Sequence, residues 1–353
     1  MDGPVGSVSD APLPTIEGVA DLVAIGRGGF GTVYRGRQPH LDRDVAVKVL
    51  DRSDADGLAL RRFEREVGAM GRLSNHPNIV AVYDGGVTAE GRPYLVMPFV
   101  PGGSLGDLLR RDGSLAPELV AAMGAKLAGA LASTHAAGVL HRDVKPDNVL
   151  ISPYGEPQLT DFGIARLADA TTTAWQSVAL TVHYAAPEVL GGEPASPASD
   201  VYALGATLHA CLTGTPPFKG EPGEALMVVV GRIATQPAPD LRAAGIDEPL
   251  ATVVEQALAK DPTERIATAD DLRRRLEAVI APPGAAAGGG PTRTEQLPVY
   301  LPPATVPDAR EEVPSPAAAP IPAATPLPTM AAPIPPVAAP IPPVESAPPP
   351  TPA

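Results

Sequence analysis

Short runs of alternating apolar and polar residues occupy the N-terminal part of the chain and predict a small β-sheet. Three of these runs cover Leu22–Gly26, Thr32–Arg37 and Asp44–Leu50. Successive side chains of a strand point to opposite faces, so the valines of the third run share one face. Two further apolar runs, Ile79–Asp84 and Tyr94–Met97, predict two more strands. We therefore expect a β-rich unit in this part of the chain.

The apolar spacing lengthens to three and four residues between the third and fourth predicted strands. Leu60, Phe63, Val67 and Met70 follow this spacing within residues 58–73, and several arginines and glutamates lie elsewhere on the helix. Such a period predicts one amphipathic helix. The β-rich unit should therefore carry a single helix.

Helical patterns dominate the next part of the chain. Residues 117–137 carry apolar side chains four positions apart and stop at Gly138, a residue suited to a helix C-cap. Ser196 and Pro197 fit the N-cap and first turn of another helix, which is apolar on most faces and should be buried. Residues 268–271 resemble a capping box that begins the last helix. The predicted fold class is α+β, with a β-rich lobe followed by a larger helical lobe.

Proline content marks the end of the folded part. Of the 45 prolines, 23 fall within residues 282–353, and the heptapeptide AAPIPPV occurs there twice. A segment with so few large apolar residues cannot offset its ordering entropy, so we expect residues 281–353 to be a disordered tail, partly in polyproline II, and residues 1–17 to be disordered as well. Pro333/Pro336 and Pro340/Pro343 fit a PxxP docking pattern. A spacer without a partner is the favoured interpretation, since any proline-rich tract produces PxxP by chance.

Charge and cysteine content narrow the functional classes. The formal net charge of −13 argues against non-specific binding of nucleic acid, which requires lysine and arginine along the phosphate backbone. Cys211 is the single cysteine, so an intramolecular disulfide is impossible and a buried structural thiol is expected. The N-terminus lacks a signal-peptide pattern, and no apolar run is long enough to span a membrane. These features predict a cytoplasmic protein without a transmembrane segment.

Five short motifs whose residues could take part in binding or catalysis follow one another along the chain. A glycine-rich turn, Gly26-x-Gly28-x-x-Gly31, precedes Val45-Ala-Val-Lys48; then come His141–Asn148, Asp161-Phe-Gly163 and Ala186-Pro-Glu188. A glycine-rich turn alone could equally bind a dinucleotide or form an ordinary hairpin, but here a strand rather than a helix follows it. In this order, the motifs match the signature set of protein kinases. Over about residues 18–280, the chain resembles the eukaryotic-like, Hanks-type Ser/Thr protein kinases of bacteria, particularly those of actinobacteria.

This resemblance implies a two-lobed protein-kinase fold, with an N-lobe over about 18–97 and a C-lobe over about 101–280. It also implies protein substrates with Ser or Thr acceptors, ATP as phosphoryl donor, and Mg²⁺, with Mn²⁺ as an alternative. Met97 takes the gatekeeper position, and Pro98 stands where most relatives have glutamate. Because the hinge contributes the carbonyl of Pro98 and the N–H of Val100, proline removes no donor that adenine needs. The implied ATP-binding residues are Ile25, Gly26, Arg27, Gly28, Gly29, Phe30, Gly31, Val33, Ala46, Lys48, Met97, Pro98 and Val100.

The same resemblance assigns catalytic roles. Asp143 would accept the proton of the substrate hydroxyl, and Lys145 would neutralise the γ-phosphate. Asn148 and Asp161 would provide oxygen ligands to the metal ions. Lys48 would contact the α- and β-phosphates and would be held by a glutamate of the helix, for which Glu66 is preferred over Glu64 because it shares a face with Phe63 and Met70.

Further positions are assigned structural or regulatory roles. We expect Glu188 to pair with Arg265, Asp200 to accept hydrogen bonds from the catalytic-loop backbone, and Thr181 to contact the catalytic residues. Leu180 replaces the glycine usual before that threonine, so peptide preference can differ. His141 and His135 are interpreted as packed residues. Arg142 and Arg166 could bind a phosphate on the activation loop. The candidate phosphosites are Thr171, Thr172, Thr173 and Ser177, with Thr173 preferred.

Two alternatives to an active kinase are open at this point. A pseudokinase could act as a binding scaffold, although the presence of all four of Lys48, Asp143, Asn148 and Asp161 argues against it. An adaptor whose function lies in the proline-rich tail is the second alternative. Transfer of labelled phosphate separates the first from an active enzyme, and a pull-down with residues 282–353 tests the second.

Overall fold

A computed structural model describes residues 13–28, 31–50, 57–162, 182–221 and 223–281. A five-stranded antiparallel sheet, in the order β1-β2-β3-β5-β4, and one helix form the smaller lobe. Its elements are β1 (Ala20–Gly28), β2 (Gly31–Gln38), β3 (Arg43–Leu50), α1 (Gly57–Leu73), β4 (Asp84–Val87) and β5 (Pro93–Pro98). Within the described residues, the predicted β-rich lobe with a single helix is confirmed.

The fourth strand lies elsewhere than the apolar run predicted. Ile79 forms a parallel bridge with Leu159, Val80 N donates to Leu159 O at 2.9 Å, and both residues are buried. The ladder with β5 begins only at Asp84 and continues through Gly85 and Gly86, which are poor strand formers. The prediction of a strand over Ile79–Asp84 was wrong, because pairing with a distant segment determines where the β-branched run is buried.

The sheet separates two apolar clusters. Val45, Val47 and Val49 lie on one face, where Tyr34 and Ile16 also pack. Ala46 lies on the opposite face and belongs to the large core that continues into the helical lobe. The alternation predicted for β3 is therefore confirmed, and its second face is the one that borders the cleft.

The larger lobe is helical. Its elements are α2 (Leu105–Asp112), α3 (Pro117–Ala136), β6 (Val149–Ile151), β7 (Pro157–Leu159), α4 (Pro187–Leu190), α5 (Pro197–Thr213), α6 (Leu226–Thr235), α7 (Glu248–Ala257) and α8 (Ala269–Ile280). Ser196 caps α5 in a reciprocal capping box with Ser199, and Gly138 has φ +75° directly beyond α3. Almost every residue of α5 is buried, as its apolar pattern predicted. None of the helices in the described ranges has the length and apolar composition that crossing a membrane requires.

The single cysteine lies in the interior of α5. Cys211 is fully buried, and burial raises the pKa of its thiol to about 12. A protonated, enclosed thiol is a poor nucleophile. We expect the native protein to resist alkylation by iodoacetamide at pH 8, whereas protein unfolded in urea should react with one equivalent. Rapid alkylation of the native protein, measured by mass spectrometry, would contradict this burial.

The predicted disordered N-terminus, residues 1–17, extends too far, because Ile16 is buried in the apolar cluster on the outer face of the sheet. The other residues predicted to be disordered cannot be compared with the fold. Residues 1–12 and the proline-rich tail from Pro282 onward lie outside the described residues. The described part ends just beyond α8, at Ala281.

Candidate active site

The inner face of the sheet forms one wall of the predicted nucleotide site. Val33 pairs with Lys48, and Ala46 pairs with Met97 across neighbouring strands. Gly31 has φ +154°, and a Cβ there would lie 2.2 Å from the carbonyl oxygen of Val49. A side chain at position 31 would therefore collide with the backbone of β3. Gly29 and Phe30, at the tip of the same turn, lie outside the described residues.

The remaining predicted ATP-binding residues lie along β1 and at the end of β5. Ile25 is 49% exposed on β1, next to Gly26, and Arg27 and Gly28 complete that strand. Met97 is buried at the end of β5, and Pro98 and Val100 are half-buried beside it. Met97, Pro98 and Val100 thus lie where the sheet leads into the helical lobe. Apolar side chains beside backbone donors suit a planar base.

Lys48 reaches across to the segment that follows β7. Its Nζ lies 2.8 Å from Oδ2 of Asp161, and Asp161 adopts the left-handed backbone at φ +60°. The structure therefore places the predicted phosphate-binding cation beside the predicted metal ligand. Glu66 lies within α1, but its side chain is not among those described. Its pairing with Lys48 stays a prediction.

The catalytic loop directs two polar side chains at one carboxylate. Lys145 Nζ donates to Oδ2 of Asp143 at 2.9 Å, and Asn148 Nδ2 donates to the same oxygen at 2.9 Å. Asn148 Nδ2 also donates to the backbone carbonyl of Asp143 at 2.8 Å. The side-chain amide nitrogen of Asn148 thus makes both of its hydrogen bonds to Asp143. The amide oxygen of Asn148 therefore points away from Asp143. Asp143 and Asn148 are buried, so this arrangement is held firmly.

Asp200 fixes the start of the catalytic loop to the buried helix α5. Its Oδ2 accepts the backbone N–H of His141, and its Oδ1 accepts that of Arg142, both at 2.8 Å. Arg142 has φ +65°, a conformation that costs a non-glycine residue energy. The Asp200 carboxylate stabilises this backbone directly before Asp143. The structure thus shows the contact expected for Asp200.

His135 takes part in the same arrangement, which sequence reasoning missed. Its Nε2 lies 2.9 Å from Oδ2 of Asp200 at the end of α3. Asp200 therefore holds α3 as well as the loop. The two residues are 65 positions apart, and nothing in the spacing distinguishes this histidine from a packed one.

His141 is packed rather than exposed to the cleft. Burial lowers the pKa of its imidazole, although the nearby charges of Asp200, Asp143 and Asp161 oppose that change. Its ring lies 4.5 Å from the ring of Phe162. The backbone N–H of Asp143 donates to its Nδ1 at 3.3 Å. The imidazole of His141 therefore stabilises the loop through this hydrogen bond and its packing against Phe162.

The Ala-Pro-Glu motif is tied to the far side of the helical lobe. Arg265 donates through both terminal nitrogens to Glu188, at 2.8 and 3.1 Å. Arg265 also donates to the carbonyl oxygens of Ala259 and Ala198, both at distances typical of hydrogen bonds. Its side chain is fully buried. The expected pair is present and forms a fork of parallel hydrogen bonds.

A cavity of about 120 Å³ lies beside Asp143. Asp143, Arg142, Tyr184, Ala185 and Ser199 are among its lining residues. The place of this cavity next to the predicted catalytic carboxylate suits the approach of a hydroxyl-bearing side chain. Arg166, Thr181 and all four candidate phosphosites fall within residues 163–181, which lie outside the described residues.

The donor set can be tested against a hard divalent cation. Asp161 offers a carboxylate, and Asn148 offers the amide oxygen that its two hydrogen bonds to Asp143 leave directed elsewhere. Mg²⁺ prefers such oxygen ligands and completes its octahedron with water and phosphate oxygens. Within the described residues, no group of three or more His, Cys, Asp or Glu side chains forms a cage for a metal. The oxygen donors of Asp161 and Asn148 fit a hard divalent cation.

Comparison with known proteins agrees with the resemblance to protein kinases that the sequence motifs indicate. The family model described as "Protein kinase domain" matches residues 19–275. The serine/threonine-protein kinase PknK of Mycobacterium tuberculosis is 50% identical over 273 residues, which cover 77% of this chain and 24% of PknK. The chain thus spans about a quarter of that relative's length.

Solved structures also resemble the fold. The Mycobacterium tuberculosis PknI kinase domain superposes with a TM-score of 0.59 at 28% identity, covering 76% of this chain and 98% of that domain. Rad53 1–466 in complex with AMP-PNP gives a TM-score of 0.60 at 28% identity, covering 74% of this chain and 65% of that one.

Proposed function

This chain belongs to the protein kinase domain family, and we propose that it transfers the γ-phosphoryl group of ATP to serine and threonine hydroxyls of proteins. The observation that carries the proposal is the convergence of five polar residues. Lys48 contacts Asp161, Asp143 contacts Lys145 and Asn148, and the backbone N–H of Thr160 joins the two groups through Asn148 O at 3.0 Å.

In this proposal, Asp143 accepts the proton of the incoming hydroxyl. Its carboxylate is oriented by Lys145 and Asn148, so it does not need to reorganise when the substrate arrives. Lys145 Nζ lies 2.9 Å from the Asp143 carboxylate, where the acceptor hydroxyl would bind. Its positive charge can therefore neutralise the phosphoryl group during transfer to that hydroxyl. Lys48 binds the phosphates of the nucleotide. To do so, its ammonium group must give up part of its contact with Asp161 in exchange for contacts with the phosphate oxygens. Positioning and charge neutralisation are the main contributions of such a site to phosphoryl transfer.

A divalent metal is the second requirement, and Mg²⁺ is our proposal for its identity. When bound, it neutralises the charge that develops on the phosphate oxygens. Asn148 and Asp161 would hold it, as their oxygen donors suit a hard cation. Mn²⁺ has the same ligand preference and is the alternative. The AMP-PNP bound to the structurally similar Rad53 supports ATP as the nucleotide.

Phosphate transfer from γ-labelled ATP to a generic basic protein tests the proposal. We expect incorporation that depends on Mg²⁺ or Mn²⁺, with phosphoserine and phosphothreonine but no phosphotyrosine after acid hydrolysis. A preparation that binds ATP but transfers nothing would indicate a pseudokinase scaffold. Pull-down with residues 282–353 alone addresses the adaptor alternative. A partner for the PxxP pattern of this tail and a cytoplasmic location both stay predictions, and cell fractionation tests the second.

Autophosphorylation of residues 171–177 is a further expectation of this function. A phosphate there carries close to two negative charges and could pair with Arg142 and Arg166. After incubation with MgATP, mass spectrometry should find phosphate in this window, with Thr173 preferred. A Thr171/Thr172/Thr173→Ala variant should phosphorylate an added substrate several times more slowly than the wild type. Full activity of that variant would refute the switch and leave the kinase proposal intact.

A further inference from the structure

One acidic residue of the catalytic loop is directed away from the reacting groups. Asp147 lies between Lys145 and Asn148, and its side chain is about half exposed. Its Oδ1 accepts a hydrogen bond from Arg110 of α2 at 2.8 Å. A Cβ on Gly106 of α2 would lie 2.5 Å from the same oxygen. Glycine at position 106 therefore allows the loop carboxylate to lie directly against the helix.

Arg110 bridges two carboxylates from different elements. Its second terminal nitrogen donates to Oδ1 of Asp107 at 2.7 Å. Asp107 Oδ2 is held by the backbone N–H and the hydroxyl of Ser104, at 2.9 and 2.8 Å. Burial alone would raise the pKa of Asp107, but the bonds from Ser104 and Arg110 lower it overall. Asp107, Arg110 and Asp147 are here termed the Arg110 cluster, and their formal charges sum to −1.

The Arg110 cluster lies close to the cavity beside Asp143. Tyr184 lines that cavity, and burial raises the pKa of its phenol. The carboxylate of Asp147 raises this pKa further, whereas Arg110 opposes it. Tyr184 is therefore close enough to both charges to be influenced by them. Asn148, the next residue after Asp147, donates to Oδ2 of Asp143 at 2.9 Å, so a peptide whose hydroxyl reaches Asp143 approaches the cluster.

The three side chains are also exposed enough to exchange partners. Their exposed fractions are 61% for Arg110, 60% for Asp107 and 49% for Asp147. Exposed ion pairs contribute little to stability in water, so a cation on a substrate can replace Arg110 without a large loss. As long as Arg110 stays in place, it occupies the two carboxylates that would otherwise attract that cation.

We propose that Arg110 is a specificity-determining residue, which competes with basic side chains of the peptide substrate for Asp107 and Asp147. The inference rests on the proposed kinase function and refines its substrate class. With Arg110 present, a lysine or arginine near the acceptor hydroxyl gives little advantage. Without it, the local charge becomes −2 and a basic residue is favoured. Because the Debye length is about 10 Å at 0.1 M salt, this preference should weaken at high ionic strength.

The test compares serine peptides that carry one arginine at each neighbouring position in turn with a matched peptide that carries alanine. The readout is the ratio of kcat/KM for the arginine peptide to that for the alanine peptide. For Arg110→Ala, we expect this ratio to rise about fivefold at the best position, the effect of one exposed charge pair. Arg110→Lys, which keeps a cation, should retain the wild-type ratio.

Arg111→Ala provides the matched control, because Arg111 is the next residue of α2 and contacts Asp112. Its ratio should equal that of the wild type. Adding Asp147→Asn to Arg110→Ala should remove most of the gain, and so should high salt. An unchanged ratio in Arg110→Ala, or an equal rise in Arg111→Ala, would overturn the inference alone. If the wild type transfers no phosphate to any peptide, the proposed function fails and this inference fails with it.

Discussion

Replacing Asp143 with asparagine should lower kcat for phosphoryl transfer by at least ~10²-fold, the usual contribution of a positioned general base. Asparagine can still accept the hydrogen bonds that Lys145 and Asn148 donate, so the loop should keep its shape. It cannot take the proton of the substrate hydroxyl. The measurement is single-turnover transfer from γ-labelled ATP, with the melting temperature recorded in parallel.

Lys48→Met should give a loss of similar size, since it removes the cation beside Asp161. Asp112→Asn, at the exposed end of α2, is the control and should behave as the wild type. A variant at Asp143 or Lys48 that keeps more than a tenth of the wild-type rate would contradict the roles given to these residues.

Arg265→Ala should produce the largest loss of stability. The substitution deprives Glu188, whose side chain is only 8% exposed, of its bidentate partner. It also removes hydrogen bonds to three backbone carbonyls. Breaking a buried ion pair from one side typically costs ~3–5 kcal/mol in the free energy of unfolding. Urea unfolding followed by circular dichroism measures this value. At the size of this folded part, the same loss should lower the melting temperature by roughly 10 °C.

Arg274→Ala on α8 is the matched control, because Arg274 is exposed and pairs only at the surface with Asp270 and Asp271. We expect its free energy of unfolding to change by less than ~1 kcal/mol. If Arg265→Ala is as stable as Arg274→Ala, the Glu188–Arg265 pair does not hold the lobe together. A double variant, Arg265→Met with Glu188→Leu, should recover part of the loss, since two apolar side chains leave no unpaired charge.

Local patterns predicted most elements of the fold. The alternation of Val45, Val47 and Val49 reflects a strand between two apolar clusters, and the apolar character of α5 reflects its central position. The prediction of the fourth strand failed because Ile79 and Val80 have high β propensity but pair with Leu159, which lies in the other lobe. Propensity describes a residue's preference, whereas the distant partner decides where a strand forms.

The candidate active site likewise contains contacts that the sequence predicted and contacts that it did not. Motif spacing was sufficient to predict that Asp143, Lys145, Asn148 and Asp161 would lie together, since three of them share one short loop. The contacts of His135 with Asp200 and of Arg110 with Asp147 were not predicted, because each joins elements far apart in sequence. Neither residue belongs to a motif with a fixed spacing. Only the packing of α3 on α5, and the close approach that Gly106 permits, brings these groups into contact.

The attachment of the catalytic loop to Asp200 has a consequence for dynamics. The N–H groups of His141 and Arg142 bind a carboxylate that is itself buried in α5, the helix with the most enclosed surroundings in the described structure. Segments open locally with free energies that depend on how many buried contacts must break. Opening this loop requires disturbance of the interior of the helical lobe. The geometry before Asp143 should therefore persist through thermal fluctuations until that lobe unfolds cooperatively.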